Sequence, residues 1–377
     1  MERVAIVGAG PIGRATAAFL AHHGHQAGLW SPSGRSTASL LPVAGEPGRI
    51  WLTYEGALSG REAITRIADA PSLADYPVVV IAVPAHAYPS VLPQVVRSLR
   101  GDQLIIVSGA LSLVPLWIRD RMVERNEAPV VAAWGTTLAT ARVSPTADVK
   151  INTVRARFDV AAVPAAAGEA ALRACRDLFG DRFSLADNLL AVALTNVNPI
   201  AHAAETLPNL TRIDRAEDWP LFHYLTPAAA RICASLDRER LAIAQGFGLT
   251  VRSIEEHYAL SYHVERGDIA TIAEAIHAKY QGPLGPKTLE HRYVLEDVPY
   301  GLVFFEALAR CAGLEAQHMS AAVTLLSSAC GRDFRDGNPL LADLGLEGIG
   351  PATLLERCRS GQAIGASQRV APPSALK

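Results

Sequence analysis

Met1-Glu-Arg-Val-Ala-Ile-Val-Gly-Ala-Gly-Pro-Ile-Gly13 opens the chain, and its reading decides the fold of the first half. The apolar run Val4 to Val7 feeds directly into Gly8-x-Gly10-x-x-Gly13, and a helical pattern follows from Arg14 to His23. That order is what a phosphate-cradling turn needs. Gly8 permits the tight turn, Gly10 lets the backbone approach a pyrophosphate, and Gly13 lets the helix pack on the strand. Pro11 and Ile12 then stand at the helix N-terminus, where free N–H groups and the helix dipole favour negative charge. The motif predicts a dinucleotide site. It names a class of cofactor and leaves the reaction open.

Further along, strand and helix signals alternate. Gln26–Trp30, Pro77–Val83, Leu104–Val107 and Val130–Trp134 read as buried strands, with amphipathic segments such as Ser90–Arg100 between them. Continuous apolar strands separated by helices predict a parallel sheet covered on both faces. The stretch Val149–Pro164 is expected to add one or two edge strands. From about Ala186 the pattern becomes helical, over Asn188–Thr206, Ala228–Phe247, Val251–Tyr258, Ile269–Lys279, Tyr300–Ala312 and Ser320–Cys330. The predicted fold is therefore α/β plus all-α. A Rossmann-type, doubly wound parallel sheet fills residues 1–185, and a C-terminal helical domain fills 186–377. The tail after Arg359 is rich in Ser, Ala, Gly and Pro and is expected to fray.

Composition narrows the partners. The chain has 377 residues, half of them hydrophobic, and a net charge of −2 with no basic run, so nucleic acid is not an expected partner. No apolar run is long enough for a bilayer, and no signal peptide is recognisable. The five cysteines are scattered without a CxxC, so no metal site is expected and a reduced cytoplasmic protein is the simplest account. An apolar helical face could support a homodimer.

Dinucleotide-binding sheets that use NAD usually carry an acidic residue after the second strand, where it holds the ribose 2′-hydroxyl. Here that position reads Leu29-Trp-Ser31-Pro-Ser33-Gly-Arg35, with no carboxylate. Two hydroxyls and a guanidinium suit a 2′-phosphate, so NADP(H) is favoured over NAD(H). The alternative is a solvated loop in which Arg35 touches nothing. Val83 and Pro84, at the carboxyl end of their strand, complete the expected cofactor set.

Two blocks in the second half carry the chemistry. In Asn196-Val-Asn198-Pro-Ile-Ala-His202, Asn198 and His202 are four apart and share a helix face. Pro199 is expected to kink that helix. Polar groups on so apolar a helix are costly unless they are used. The second block, His291-Arg292-Tyr-Val-Leu-Glu296-Asp297-Val-Pro299-Tyr-Gly301, has two readings. It is either a capped helix start, with Glu296 or Asp297 as the cap, or a catalytic cluster. In the second reading Asp297 orients the His202 imidazole and Arg292 grips a carboxylate. His223, Tyr224, His257, Tyr258 and His263 read as structural or surface groups.

These blocks, together with Gly8–Gly13 and Leu207-Pro-Asn209, resemble the octopine/nopaline (opine) dehydrogenase family over nearly the whole chain. Leu236-Asp-Arg-Glu-Arg240, Gly285-Pro-Lys-Thr-Leu289 and Leu344-Gly-Leu346 support the match. The resemblance implies NAD(P)H-dependent reductive joining of an α-keto acid, commonly pyruvate, to the amine of an amino acid. It implies His202 as acid/base, Asp297 as its partner, Arg292 as the keto-acid anchor, and Asn198 as a polar contact near the reacting centre. The chain departs from the family pattern at Ala203, where proline is usual, and at Pro208, where an aliphatic residue is usual. The Glu-Thr pair common near Trp134-Gly135 is absent. Two other functions fit the layout. One is a ketopantoate-reductase-like keto-acid reductase, against which the absence of lysine between Asn188 and Thr206 counts. The other is a non-catalytic NADP-binding sensor.

Overall fold

The computed structural model describes residues 1–362. They form two compact units, one of residues 1–193 with 356–362 and one of residues 194–355. The fraying expected of the tail beyond that range lies outside the described residues. The first unit is built on one eleven-stranded sheet. Its strands are β1 (Arg3–Val7), β2 (Gln26–Trp30), β3 (Arg49–Gly56), β4 (Gly60–Arg66), β5 (Val78–Ile81), β6 (Leu104–Val107), β7 (Val130–Trp134), β8 (Ala139–Arg142), β9 (Val149–Val154), β10 (Phe158–Val163) and β11 (Phe183–Leu185). They lie in the order β11-β10-β7-β6-β5-β1-β2-β4-β3-β9-β8.

The centre, β7-β6-β5-β1-β2, is parallel throughout. Its residues are apolar on both faces, and Val4, Ile6, Val79, Val80, Ile105 and Ile106 are fully buried. That is the pattern of a sheet covered on both sides. The flanks are mixed. β10 runs antiparallel to β7, β3 and β4 form an antiparallel pair, and β8 is antiparallel to β9. Val149–Pro164 supplies two strands in separate places, β10 beside β7 and β9 beside β3, but neither is the edge strand expected, because β11 pairs outside β10 and β8 pairs outside β9.

The β3–β4 pair was not expected from sequence. Its signal is alternation: Ile50, Leu52 and Tyr54 are buried while Trp51 is half-buried, with the Arg61 guanidinium 4.5 Å over its ring.

The units divide at 193/194, where the sequence pattern suggested 185/186. Leu189, Leu190 and Val192 are buried and cluster with the first unit, so apolar side chains there carry no boundary signal. Residues 356–362 also cluster with the first unit. A largely buried ion pair fixes them, with Arg357 Nη2 2.6 Å from Asp120 Oδ2.

The second unit is all helix. The single helix expected over Asn188–Thr206 is two, Leu189–Thr195 and Asn198–Thr206. Pro199 sits in the first turn of the second helix, and the Asn196 side chain accepts the Asn198 amide at 3.0 Å. Proline so placed starts a helix rather than kinking one. Ala203 is fully inside the second helix, and Pro208 is the middle residue of the short turn Leu207–Asn209 that follows it. The departures from the family pattern therefore leave the helix regular.

The helix Pro227–Gly246 carries Asp237 and Arg240, both buried. Arg240 bonds Asp237, the carbonyl of Leu194 and the carbonyl of Arg252, while Asp237 accepts the Ile254 amide at 2.9 Å. The Leu236–Arg240 piece is thus structural, tying three helices together. Gly285 is structural too, since any side chain there would overlap the Trp219 ring. Among the described residues no helix is long and apolar enough to cross a membrane.

Candidate active site

The glycine loop has the geometry its sequence predicts. Gly8 has φ +109°, a conformation that favours glycine, and a Cβ there would sit 2.6 Å from the Ala82 carbonyl oxygen. A Cβ on Gly13 would overlap the Gly8 carbonyl, which is why the helix Pro11–His22 can approach β1 so closely. A Cβ on Gly10 would meet nothing within 4 Å. The helix begins there with no side-chain cap and with Pro11 in its first turn. Open space in front of uncapped N–H groups of a twelve-residue helix fits a dinucleotide pyrophosphate. Val83 and Pro84 follow β5, the strand next to β1, where the Ala82 amide bonds the Val7 carbonyl at 2.8 Å.

The loop after β2 is a tight turn. Gly34 donates to the Ser31 carbonyl at 2.9 Å, and the Arg35 amide lies 3.4 Å from Ser33 Oγ. The Arg35 side chain is exposed. Sequence reading missed the residue that fixes this loop. Arg14, just past the last motif glycine, donates to the carbonyls of Ala9 (3.0 Å), Ser36 (2.5 Å) and Asp148 (2.8 Å). Its fork thereby sets the path of 31–39 relative to the glycine turn.

In the second unit the structure brings His202 and Asp297 together across 95 residues. His202 Nδ1 is 2.7 Å from Asp297 Oδ2, with both side chains nearly buried. Asp297 stands at the start of a short π-helical turn, Val298–Leu302, and makes no capping bond with its side chain. Its carboxylate serves the histidine, so the capped-start reading does not hold for this residue. The close approach has a local cause: Gly301 has no side chain where any Cβ would overlap the Pro199 ring. Proline at the head of one element and glycine in the other allow the two backbones to touch. π-Turns interrupt a helix and commonly mark functional sites.

Tyr293 stacks on the imidazole, ring centroids 3.5 Å apart and planes within 10°. With one face covered and Nδ1–H donating to Asp297, the Nε2 nitrogen is the one left to exchange protons. Burial lowers the proton affinity of His202 and Asp297 raises it, while the Arg292 charge lowers it further. The resting imidazole is therefore held towards its neutral, proton-accepting form, with a carboxylate in place to stabilise the cation. Arg292 is exposed. Asn198 is half-buried, one turn before His202 on the same helix face.

Two residues near this pair were not singled out from sequence. Tyr293 carried no signal beyond standing next to Arg292. Glu205 did carry one, being the only carboxyl of the helix Asn198–Thr206 and three residues after His202. It is 2% exposed, and burial and the nearby Asp297 push it up to about 8. Of the other aromatic and histidine candidates, His223 lies elsewhere and Tyr258 is near Glu205. His223 lines a cavity of about 530 Å³ with Glu255, Glu274 and His277, and none of His202, Arg292 or Asp297 borders it. Tyr258 is buried against Phe222 and Tyr262. Trp134 bonds Cys175 at 3.4 Å and packs on Phe158, Phe179 and Phe183, so its strand is structural.

Two family models match the chain. One, described as NAD/NADP octopine/nopaline dehydrogenase, alpha-helical domain, covers residues 185–330, and the other, an NADP oxidoreductase, coenzyme F420-dependent, covers residues 3–110. An opine dehydrogenase of Arthrobacter sp. (strain 1C) is 30% identical over 356 residues, spanning 92% of this chain and 95% of its own. Among solved structures, an octopine dehydrogenase with NADH and L-arginine superposes at a TM-score of 0.74 with 15% identity, over 94% of this chain and 98% of that one. A yersinopine dehydrogenase with NADP+ bound gives 0.68 with 16% identity, over 94% and 95%. The structural likenesses show the shared fold.

Proposed function

The chain belongs to the octopine/nopaline (opine) dehydrogenase family, and from that premise we propose how its residues divide the work and which substrates it prefers. It is an oxidoreductase acting on CH–NH donors with a nicotinamide cofactor. In the synthetic direction it condenses an α-keto acid with the amino group of an amino acid and reduces the imine. The buried 2.7 Å contact of His202 with Asp297 is the observation that carries the assignment of roles.

The turn Gly8-x-Gly10-Pro11-Ile12-Gly13, the loop Ser31–Arg35 and Val83-Pro84 hold the cofactor. The nicotinamide, when bound, supplies the hydride for the imine carbon. Arg292 grips the keto-acid carboxylate with a bidentate pair of charge-assisted bonds. Asn198 offers its amide near the reacting carbon. As the amine adds to the carbonyl carbon, neutral His202 takes one proton from nitrogen and passes it to the alkoxide, which gives the carbinolamine. It then takes the second proton from the same nitrogen and delivers it to the hydroxyl, which departs as water and leaves the imine. Asp297 holds the imidazole with Nδ1–H inward and stabilises the imidazolium between uptake and delivery. Pyruvate is the keto acid the family points to. A matrix of keto acids and amino acids, read by loss of NADPH or NADH absorbance, tests this. Turnover should need both substrates, and turnover with a keto acid alone would overturn it.

NADPH is the preferred donor in this reading, because the loop after β2 offers Ser31, Ser33 and an exposed Arg35 and no carboxylate. Arg35→Ala should raise the KM for NADPH about ten-fold, the worth of one lost charge-assisted contact, and leave that for NADH unchanged. Equal effects on both cofactors would remove Arg35 from the 2′-phosphate site. The five unpaired cysteines suit a reducing compartment, and we place the enzyme in the cytoplasm.

A further inference from the structure

Glu205 lies one turn after His202 on the helix Asn198–Thr206, so the two side chains leave the same face. It is 2% exposed, and its Oε2 has no hydrogen-bond partner. Three packed elements supply the titratable groups around it. The segment after Arg292 contributes Asp297 and Tyr293, the helix Pro227–Gly246 contributes Cys233, and the helix Ile254–Tyr262 contributes Tyr258. No cation is among these groups.

An ionised carboxyl so placed has no cation among these groups and no donor at Oε2, and it lies near the carboxylate that already serves His202. Burying a charge on such terms is costly, whereas burying the protonated acid costs far less. Between Asn198 and Glu205 the helix is otherwise Pro, Ile, Ala, Ala and Ala around His202. A merely space-filling role at this position needs no carboxyl.

We propose that Glu205 is a positioning residue for the His202–Asp297 pair: as a neutral acid it leaves Asp297 as the anion His202 senses, and on losing its proton it raises the proton affinity of His202. The inference rests on the reading of His202 as the acid/base. Its chemical consequence is that the imidazolium formed when His202 takes the amine proton keeps that proton at alkaline pH, where it would otherwise be lost before delivery to the departing hydroxyl. The two groups then titrate as a coupled set rather than singly.

The test compares kcat across pH for wild type, Glu205→Gln and His202→Ala. Glutamine has the shape of the protonated acid and cannot ionise. Wild-type Glu205 gains its charge on passing about pH 8, and a second negative charge beside the imidazole then favours the cation. The ratio of wild-type to Glu205→Gln turnover should therefore rise, by about three-fold or more between neutral pH and roughly one unit above that titration. In wild type, the His202 imidazole nitrogen shifts followed by NMR should show a second inflection at the same pH. A ratio that stays flat across pH, or a single inflection, overturns the role of Glu205. The NMR titration uses the unaltered chain and decides the matter if the variant does not fold. Should His202→Ala keep its rate, the acid/base reading itself falls. Should His202→Ala be inactive while the ratio stays flat, only the Glu205 inference falls.

Discussion

His202→Ala lowers turnover by ~10²–10⁴-fold while cofactor affinity is retained, because a positioned general acid/base contributes about that factor. The expectation follows from the position of the residue. The imidazole is clamped on one edge by Asp297 at 2.7 Å and covered on one face by Tyr293 at 3.5 Å. In the proposed mechanism its remaining nitrogen exchanges protons with the substrate. Two of the steps assigned to it, proton removal from the attacking amine and proton delivery to the leaving hydroxyl, are lost together. In the proposed function the cofactor is held by the glycine turn and the loop after β2, which belong to the other compact unit. Steady-state rates and fluorescence titration with NADPH check both halves. A variant with near-normal turnover would remove His202 from the mechanism, and one that loses NADPH binding in parallel would point to a folding defect.

The second large effect is expected at Arg292. Two charge-assisted bonds to a carboxylate, at about 1.5–3 kcal/mol each before solvent screening, predict a rise of roughly 10² in the keto-acid KM for Arg292→Ala. The amino-acid KM should move little. Lysine should restore only part of the loss, since it offers a point charge instead of a fork. Arg292 also lowers the proton affinity of His202, so its removal should shift the acid limb of the kcat profile to higher pH. An unchanged keto-acid KM would contradict the anchoring role. A KM change without the shift in profile would place the guanidinium too far from the imidazole to matter to it.

Much of this site could be read from the chain because its parts obey local rules. The glycine turn needs a positive φ at Gly8 and close contact at Gly13, and only glycine meets both demands. A polar pair at i and i+4 on an apolar helix marked Asn198 and His202. The block His291–Gly301 was harder, since an acidic residue before proline is also a good helix start. Only the tertiary contact shows that the Asp297 carboxylate turns to His202 instead of capping. Arg14 and Tyr293 were invisible for a related reason. Their partners are backbone carbonyls or a ring face, and neither leaves a sequence pattern. The β3–β4 pair escaped because its alternation includes polar residues, and the unit boundary shifted because buried leucines look alike on either side of it.

The central claim, that one reaction joins nitrogen and hydride at the same carbon, is tested most directly by isotopes. The enzyme is supplied with pyruvate, a ¹⁵N-labelled amino acid and NADPH deuterated at the transferred position, and the product is weighed by mass spectrometry. The account predicts a single secondary-amine dicarboxylate that carries both the ¹⁵N and the deuterium. Deuterium in a hydroxy acid, with the ¹⁵N left in the unreacted amino acid, would contradict it.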